Sequence, residues 1–237
     1  VSWKHRITKQ LVSYKTLRSL PVERKAFWWL VGRWLGDGWL RHYENEEGKS
    51  SPKKSRFNTI ICCDRTDNDV ELNEILSRVR ACGFKYVIRK HRTSYKISLR
   101  GKEICKFFLQ FGRGAANKEI PGFVQALPVP VLKKFIQGYI SADGCKRSKQ
   151  TGHYKFSTVS QKLAVGMTQC LHKALGIGVS IHKREQHHTA SVIEGRKVNC
   201  KPIYVGEFRI HGNKERSLCI ELDGMLWVPI RKITVRK

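Results

Sequence analysis

Two nine-residue stretches decide the fold of this chain: LVGRWLGDG at residues 30–38 and IQGYISADG at residues 136–144. They share glycine at the third position, a small residue at the seventh, aspartate at the eighth and glycine at the ninth. Small residues four apart lie on one face of a helix, where they let a second helix backbone approach closely. We therefore expect two paired helices that contact each other at Gly32, Gly36, Gly138 and Ala142.

Each stretch ends in an aspartate followed by a glycine, at Asp37-Gly38 and Asp143-Gly144. We expect both glycines to be left-handed helix terminators. Paired helices would bring the two carboxylates together, where the negative ends of both helix dipoles add to their repulsion. A divalent cation relieves this conflict, and Mg²⁺ suits oxygen ligands and retains water for exchange with a phosphate oxygen. The pattern predicts a metal site at Asp37 and Asp143, flanked by Gly36 and Ala142, that could also accept Mn²⁺ or Ca²⁺.

The regions around the two stretches repeat one order of elements: helix, two strands, helix, two strands. The period is 106 residues, from Asp37 to Asp143. Hydrophobic spacing and helix-start and helix-stop residues predict helices at 22–36, from a cap in 66–69 to Gly83, and at 102–111, 131–142 and 161–175. Strand signals lie at 39–43, 56–63, 84–90, 95–99, 153–159, 178–183 and 202–211. The repeat favours one domain made of two pseudo-symmetric halves.

Charge narrows the class of partner. The chain has 237 residues and a formal charge of +27, with 46 Lys and Arg against 19 Asp and Glu. Such an excess favours a polyanionic partner, nucleic acid first and an anionic membrane surface second. No apolar run approaches the roughly 20 residues of a membrane span, and residues 1–20 lack the apolar core of a secretory signal. The eight cysteines form no C-x-x-C pair, so we expect a soluble, intracellular protein without a disulfide framework.

The paired motifs resemble those of the LAGLIDADG homing endonucleases, in particular the monomeric kind with two motifs in one chain. The resemblance spans about residues 20–212, although Leu35 and Ser141 depart from the family's name sequence at a position that varies. It implies an α+β fold of tandem αββαββα repeats, in which two antiparallel sheets form a DNA-binding saddle around a central two-helix interface. It also implies that Asp37 and Asp143 bind the catalytic metals. The implied division is a basic extension at 1–20, halves at 21–111 and 131–212, a connector at 112–130 and intein-like strands at 213–237.

A second likeness concerns NKEIP at residues 117–121, which resembles the Lys-x-Ile-Pro element of intein-borne members of the family. The resemblance implies that Lys118 approaches the metal-bound water or the scissile phosphate, as a third catalytic residue. A solvated lysine beside a proline turn is the alternative. In the family, a polar or basic residue after the second strand of each half helps order the waters. By position, Asp64 or Arg65 and Gln161 or Lys162 are weaker candidates for that role.

The predicted strands are rich in cations, and one face of each sheet could meet DNA while the other packs on helices. Cations on such a face neutralise phosphates, and arginine or lysine can also read base edges. The candidate DNA-binding residues are Arg41, Arg56, Arg65, Arg89, Lys90, Arg92, Lys96, Lys146, Arg147, Lys149, Lys155, Lys162, Lys183, Arg184 and Arg209.

These features predict a Mg²⁺-dependent, site-specific endonuclease that hydrolyses both strands of a long DNA target and acts as a monomer. The alternative is a catalytically inactive nucleic-acid binder of the same fold, such as an intron maturase or a DNA-binding regulator. Residues 219–233 look like the strands with which an intein splicing domain resumes after an endonuclease insert. Val1 is not a splicing nucleophile and the chain does not end in His-Asn, so we do not expect self-splicing by this chain.

Overall fold

The computed structural model describes residues 20–43, 56–148, 152–185, 190–193, 196–199, 201–210, 220–222 and 225–227. The helices are α1 (Lys25–Asp37), α2 (Val70–Ala81), α3 (Lys102–Leu109), α4 (Gly122–Gln125), α5 (Val129–Asp143) and α6 (Gln161–Leu175), with a 3₁₀ turn at Ala115–Asn117. The strands are β1 (Gly38–Tyr43), β2 (Arg56–Asp64), β3 (Tyr86–His91), β4 (Ser94–Arg100), β5 (Gly144–Ser148), β6 (His153–Thr158), β7 (Ser180–Arg184), β8 (Ala190–Ile193), β9 (Arg196–Asn199), β10 (Ile203–Arg209), β11 (Ile220–Leu222) and β12 (Met225–Trp227).

Two four-stranded antiparallel sheets have the same strand order. The first is ordered β1-β2-β4-β3 and the second β5-β6-β10-β7, so each strand has a counterpart in the other half. The predicted α+β fold of two repeats is confirmed. The second half differs by the hairpin β8-β9, which lies between β7 and β10 in sequence. Among the described residues, β10 is followed by the hairpin β11-β12. No described helix corresponds to the one expected at the end of the second αββαββα repeat.

The prediction that Gly38 and Gly144 adopt a left-handed conformation is wrong. Their φ and ψ angles are −109° and 158° for Gly38 and −85° and 138° for Gly144, so each is extended and begins a strand. Space explains the glycines instead. A Cβ at Gly38 would lie 2.1 Å from Trp34 Cδ1, and one at Gly144 would lie 2.3 Å from the Ile140 carbonyl oxygen. In both motifs, the backbone therefore passes directly from the helix into the strand, in close contact with the last turn of the helix.

The ends of the other helices follow local chemistry more closely. Gly83 and Gly176 terminate α2 and α6 with φ angles of 71° and 64°, as predicted for left-handed C-terminal glycines. At the start of α2, Asp69 occupies the cap position, but its side chain forms no cap hydrogen bond. Its Oδ2 instead accepts a hydrogen bond from the Tyr95 hydroxyl at 3.1 Å, which links α2 to β4. Tertiary contact thus replaces the expected capping role of this aspartate.

Among the described residues, helices pack against one face of each sheet. Along β4, Tyr95, Ile97 and Leu99 are buried while the side chains between them are partly exposed. The face that holds Lys96, opposite these buried residues, is called the open face below, and the second sheet has its equivalent around Lys155. A cluster of aromatic rings fills the core beneath the first half, formed by Phe27, Trp28, Trp34, Phe107, Phe108 and Phe111. None of the described helices is long and apolar enough to cross a membrane.

Candidate active site at the ends of the paired helices

Helices α1 and α5 approach each other at small residues. A Cβ added to Gly32 would lie 1.9 Å from the Phe135 carbonyl oxygen, and one added to Gly138 would lie 1.9 Å from the Trp29 carbonyl oxygen. Near the C-terminal ends, a Cβ on Gly36 would lie 2.3 Å from that of Ala142. Both backbones therefore occupy the space of the missing side chains. The four residues expected at the helix interface all lie in it.

The pairing brings Asp37 and Asp143 to the same end of the interface. A Cβ on Gly36 would lie 3.2 Å from Asp143 Cγ, so the Asp143 carboxyl group reaches the last turn of α1. Burial and then the negative charge of Asp37 raise the pKa of Asp143 to about 6. Burial also raises the pKa of Asp37, although the positive charges of Arg33 and Lys118 act in the opposite direction. The two carboxyl groups converge in a partly buried place where a cation would stabilise their ionised forms.

Arg33 is a member of this site that the sequence analysis did not single out. Its side chain is only 1% exposed, and its Nη2 lies 2.8 Å from Asp37 Oδ2 and forms a second ion pair with Glu71. The guanidinium also donates to two backbone carbonyls, those of Cys62 and of Ser141 in the other half. The available signal was one cation on an otherwise apolar helix face, four residues before Asp37.

Glu71 connects Arg33 to the end of β2. One of its carboxylate oxygens pairs with Arg33, and the other accepts a hydrogen bond from the backbone N–H of Asp64 at 3.1 Å. Asp64 is the last residue of β2, and its negative charge contributes to the raised pKa of Asp37. Of the weaker candidates, Asp64 is therefore the one that the structure brings to the paired carboxylates.

Lys118 is buried, with 6% of its surface exposed, at the C-terminal end of α1. Its Nζ donates to the carbonyl oxygens of Leu35 at 2.6 Å and Gly38 at 2.9 Å, and lies 3.2 and 3.3 Å from those of Gly36 and Trp34. Burial lowers the pKa of Lys118 to about 8, against the effect of Asp143 and Asp37. Lys118 therefore caps the negative end of the α1 dipole directly beside both aspartates.

The connector is held in place by its contacts with α6. The Ser160 hydroxyl donates to the Lys118 carbonyl oxygen and accepts a hydrogen bond from the Leu163 N–H at 3.2 Å, as the N-cap of α6. On the other side, the Glu119 N–H donates to the Phe111 carbonyl oxygen at 2.9 Å. The position of the Lys118 ammonium thus depends on both halves of the molecule.

The sheet register sorts the candidate DNA contacts by face. On the first sheet, Arg89 pairs with Lys96, and both belong to the open face together with Arg41, which pairs with Asn58. Lys90 pairs with buried Tyr95 and therefore points to the helix-covered face. On the second sheet, the open face includes Lys155, Arg184 and Arg209.

The remaining candidates have other surroundings or lie outside the described residues. Lys183 pairs with Tyr204 and borders a shallow depression between β7 and α6, on the helix-covered side. Lys162 forms an exposed ion pair with Glu119 at 3.1 Å. Arg65 donates to the Arg92 carbonyl oxygen at 3.3 Å, which ties the end of β2 to the β3–β4 turn. The side chains of Arg56, Lys146, Arg147 and Lys149 lie outside the described residues.

The donors at this site fit a hard divalent cation. Two carboxylates and neighbouring backbone carbonyls offer oxygen ligands alone, which suit Mg²⁺, Mn²⁺ or Ca²⁺. The described residues hold no group of three or more His, Cys, Asp or Glu side chains able to bind a metal. Water and phosphate oxygens would have to complete the coordination. Gly36 is predicted at the metal site together with Ala142, and its carbonyl oxygen already lies 3.2 Å from the Lys118 ammonium.

Comparison with known proteins agrees with this geometry. Residues 130–205 match a family model described as the LAGLIDADG-like domain. A structure from a study of mesophilic variants of the homing endonuclease I-DmoI is similar, with a TM-score of 0.54 and 17% identity, over 78% of this chain and 89% of that chain. The chain has the LAGLIDADG fold. I-DmoI in complex with DNA and Mn also gives a TM-score of 0.54 at 17% identity, over 78% of this chain and 90% of that one.

A curated relative is the homothallic switching endonuclease of Saccharomyces cerevisiae (strain ATCC 204508 / S288c). It is 27% identical over 194 residues, which cover 76% of this chain and 32% of that protein. The chain thus spans about a third of the length of this curated relative. Because the matched stretch is far longer than either half, the similarity extends into both halves of this chain.

Proposed function

We propose that this chain is a site-specific homing endonuclease that makes metal-dependent double-strand breaks in a long DNA target. The observation that carries the proposal is the convergence of Asp37 and Asp143 at the ends of two paired helices, between two sheets with cationic open faces. The similarity to the homothallic switching endonuclease and to I-DmoI supports it. I-DmoI structures with DNA and Mn and with DNA and Ca support the use of a divalent cation.

In this proposal Asp37 and Asp143 bind the cation, and that cation is Mg²⁺. A divalent cation so bound lowers the pKa of water and stabilises negative charge on the attacking and leaving oxygens of a phosphodiester. Lys118 holds the carbonyls at the end of α1 and adds positive charge next to the phosphate position. Because its ammonium already has four carbonyl neighbours, we assign Lys118 to organising the site rather than to proton transfer.

The open faces supply binding in this proposal. Arg41, Arg89 and Lys96 of the first sheet and Lys155, Arg184 and Arg209 of the second contact phosphates or base edges. The two pseudo-symmetric halves would each contact half of the target, so the chain acts as a monomer inside the cell. The likeness of residues 219–233 to intein strands supports an intein as the host element.

The test is cleavage of a randomised duplex DNA library in Mg²⁺ by the parent chain, Asp37→Asn and Asp143→Asn. We expect sequence-specific double-strand cleavage by the parent and a loss of roughly 10³-fold in either variant, because each removes charge that the transition state requires. Asp67→Asn, at an exposed carboxylate before α2, is the control and should cleave like the parent. Cleavage by both site variants at the parental rate would refute the metal-site assignment.

The pairing of Arg33 with Asp37 favours one second candidate, a nucleic-acid binder of the same fold without cleavage activity. A guanidinium on one of two metal-binding carboxylates lowers the charge available to a cation. The same library separates the two functions. Selective retention of particular sequences by the parent chain, with no cut product at any Mg²⁺ concentration, would support the binder.

A further inference from the structure

The fourth position of the two motifs differs in charge. It is Arg33 in the first motif and Tyr139 in the second, and each lies one helical turn before its own aspartate. The Arg33 guanidinium contacts Asp37 directly. The Tyr139 side chain is fully buried, and the neighbouring Asp143 carboxyl group adds to burial in raising the pKa of its hydroxyl. Asp37 therefore pairs directly with a permanent cation from its own motif, whereas the equivalent motif residue beside Asp143 is a neutral phenol.

Arg33 does not belong to Asp37 alone. Its Nη2 is shared between Asp37 and Glu71, and the guanidinium also donates to the carbonyls of Cys62 and Ser141. Its Nε has no hydrogen-bond partner among the described residues, so the Nη groups fix its position. If Asp37 turned to another cation, Arg33 would keep Glu71 and both carbonyls as partners. The network can therefore release Asp37 without leaving a buried guanidinium unpaired.

Glu71 has the opposite effect on the site. Its carboxylate is anchored at both oxygens, to Arg33 and to the Asp64 N–H. It balances the charge of Arg33, so Asp37 keeps part of its own charge for another cation. Without Glu71, the guanidinium would have Asp37 as its one carboxylate partner among the described residues. The surroundings of Asp37 would also lose a negative charge.

We propose that Arg33 and Glu71 are positioning residues with opposite effects on the affinity of Asp37 for a cation. Arg33 orients Asp37 and weakens cation binding there, and Glu71 restrains Arg33 and strengthens it. The two aspartates are therefore unequal ligands: the Arg33 guanidinium pairs directly with Asp37 and acts on Asp143 only through its charge, without an ion pair. This inference rests on the proposed function, because it concerns the same carboxylates.

The experiment measures Mn²⁺ binding by the full chain without DNA, from the EPR signal of free Mn²⁺. Arg33→Met should bind Mn²⁺ about tenfold more tightly, because the positive charge that pairs with Asp37 at 2.8 Å is removed. Glu71→Gln should bind it about threefold or more weakly, since an attractive charge is lost and Arg33 is left on Asp37. Arg78→Met and Glu74→Gln are matched controls. They remove the same two charges from an exposed pair of α2, joined at 3.3 Å, and should leave Mn²⁺ affinity at the parental value.

Opposite shifts in the two site variants, with unchanged controls, support the inference, because a purely structural role would weaken binding in both. Weaker binding in both site variants, or parental binding in both, overturns it. If Arg33→Met fails to fold by circular dichroism, Glu71→Gln decides alone, and affinity at or above the parental value refutes the proposal. If the parent binds no Mn²⁺ that Asp37→Asn and Asp143→Asn abolish, the proposed metal site itself is refuted.

Discussion

The two halves of the molecule share a topology and differ in the chemistry around their aspartates. Both sheets have the same strand order, and both motif helices use glycine where the other backbone passes. In the first half, a buried arginine contacts the aspartate and a buried lysine caps the helix end. In the second half, the corresponding motif position is a buried tyrosine, and the pKa of the aspartate rises to about 6.

This difference separates the steric requirements of helix pairing from the charge requirements of the site. Close approach of two helices imposes the same steric demand on each, so the glycines are equivalent. Charge obeys no such symmetry, because the connector that carries Lys118 passes the end of α1. Four predictions test the comparison.

The largest expected effect is on helix pairing. Gly32→Ala and Gly138→Ala should each lower the free energy of unfolding by about 3 kcal/mol, because the new Cβ would overlap a backbone carbonyl that cannot move aside. Equal losses in urea denaturation are expected, since both contacts measure 1.9 Å. Gly122→Ala is the control, with no neighbour within 4 Å of its Cβ, and should stay within about 0.5 kcal/mol of the parent. A tolerated alanine at one motif glycine alone would break the equivalence of the helices.

The next effect concerns the cap on α1. Lys118→Met should lower the free energy of unfolding by about 2 kcal/mol, because several carbonyls at a buried helix end lose their donor. Lys162→Met removes a lysine from an exposed ion pair with Glu119 and should cost less than about 0.5 kcal/mol. Urea denaturation of both variants measures the difference. Equal stability of the two variants would contradict the capping role.

A third prediction uses the raised pKa of Asp143. The pKa is about 6 in the folded protein against an ordinary value of 3.8, so protonation of this group stabilises the metal-free fold. That contribution is fully present below 3.8 and is lost as the pH rises through about 6. Cation binding needs the ionised form and has the opposite dependence. The increase in Tm on adding Mg²⁺ should therefore be clear near pH 8 and small near pH 5.

Differential scanning fluorimetry across this pH range, with and without Mg²⁺, makes the measurement. Asp143→Asn serves as the control, because its Mg²⁺-induced change in Tm should be small at every pH. A Mg²⁺ effect that persists undiminished at about pH 5 would show that protonation of Asp143 does not compete with the cation.

The smallest effects distinguish the faces of one strand. Arg89→Gln should weaken binding to a random-sequence duplex by roughly fivefold, because Arg89 lies on the open face. Lys90→Gln removes the same charge from the helix-covered face and should change affinity by less than about twofold. Arg184 and Lys183 form the equivalent pair in the second half. Fluorescence anisotropy at low salt measures all four, and equal losses within a pair would reject the assignment of faces.

The features that depend on spacing alone could be predicted from the sequence. Positions three and seven of each motif determine which residues meet across the helix pair, and the repeat of elements predicts two similar sheets. Features that depend on the tertiary surroundings of a residue could not. The need for glycine at position 38 follows from the nearby Trp34 ring, and the position of the Lys118 ammonium follows from the path of the connector.

The two faces of each strand show that an error of one residue changes the predicted role of a side chain. Side chains alternate along a strand, so charge richness alone does not separate Arg89 from Lys90, and the pairing register does. Arg33 was missed for another reason: its place on an apolar helix face indicates burial but does not identify the distant groups that pair with it. Its 1% exposure comes from α2 and the second half, which cover it in the fold.

The charges around the first aspartate have a consequence for re-engineering this chain as a symmetric dimer. Two copies of the first half, each with the connector that carries Lys118, would bring two Asp37 and two Glu71 carboxylates together with two Arg33 and two Lys118 cations, which leaves no net negative charge to attract Mg²⁺. Two copies of the second half would bring two Asp143 carboxylates together without those cations, and their repulsion would oppose association. Each half therefore supplies what the other lacks, and the fused chain is the arrangement that balances them.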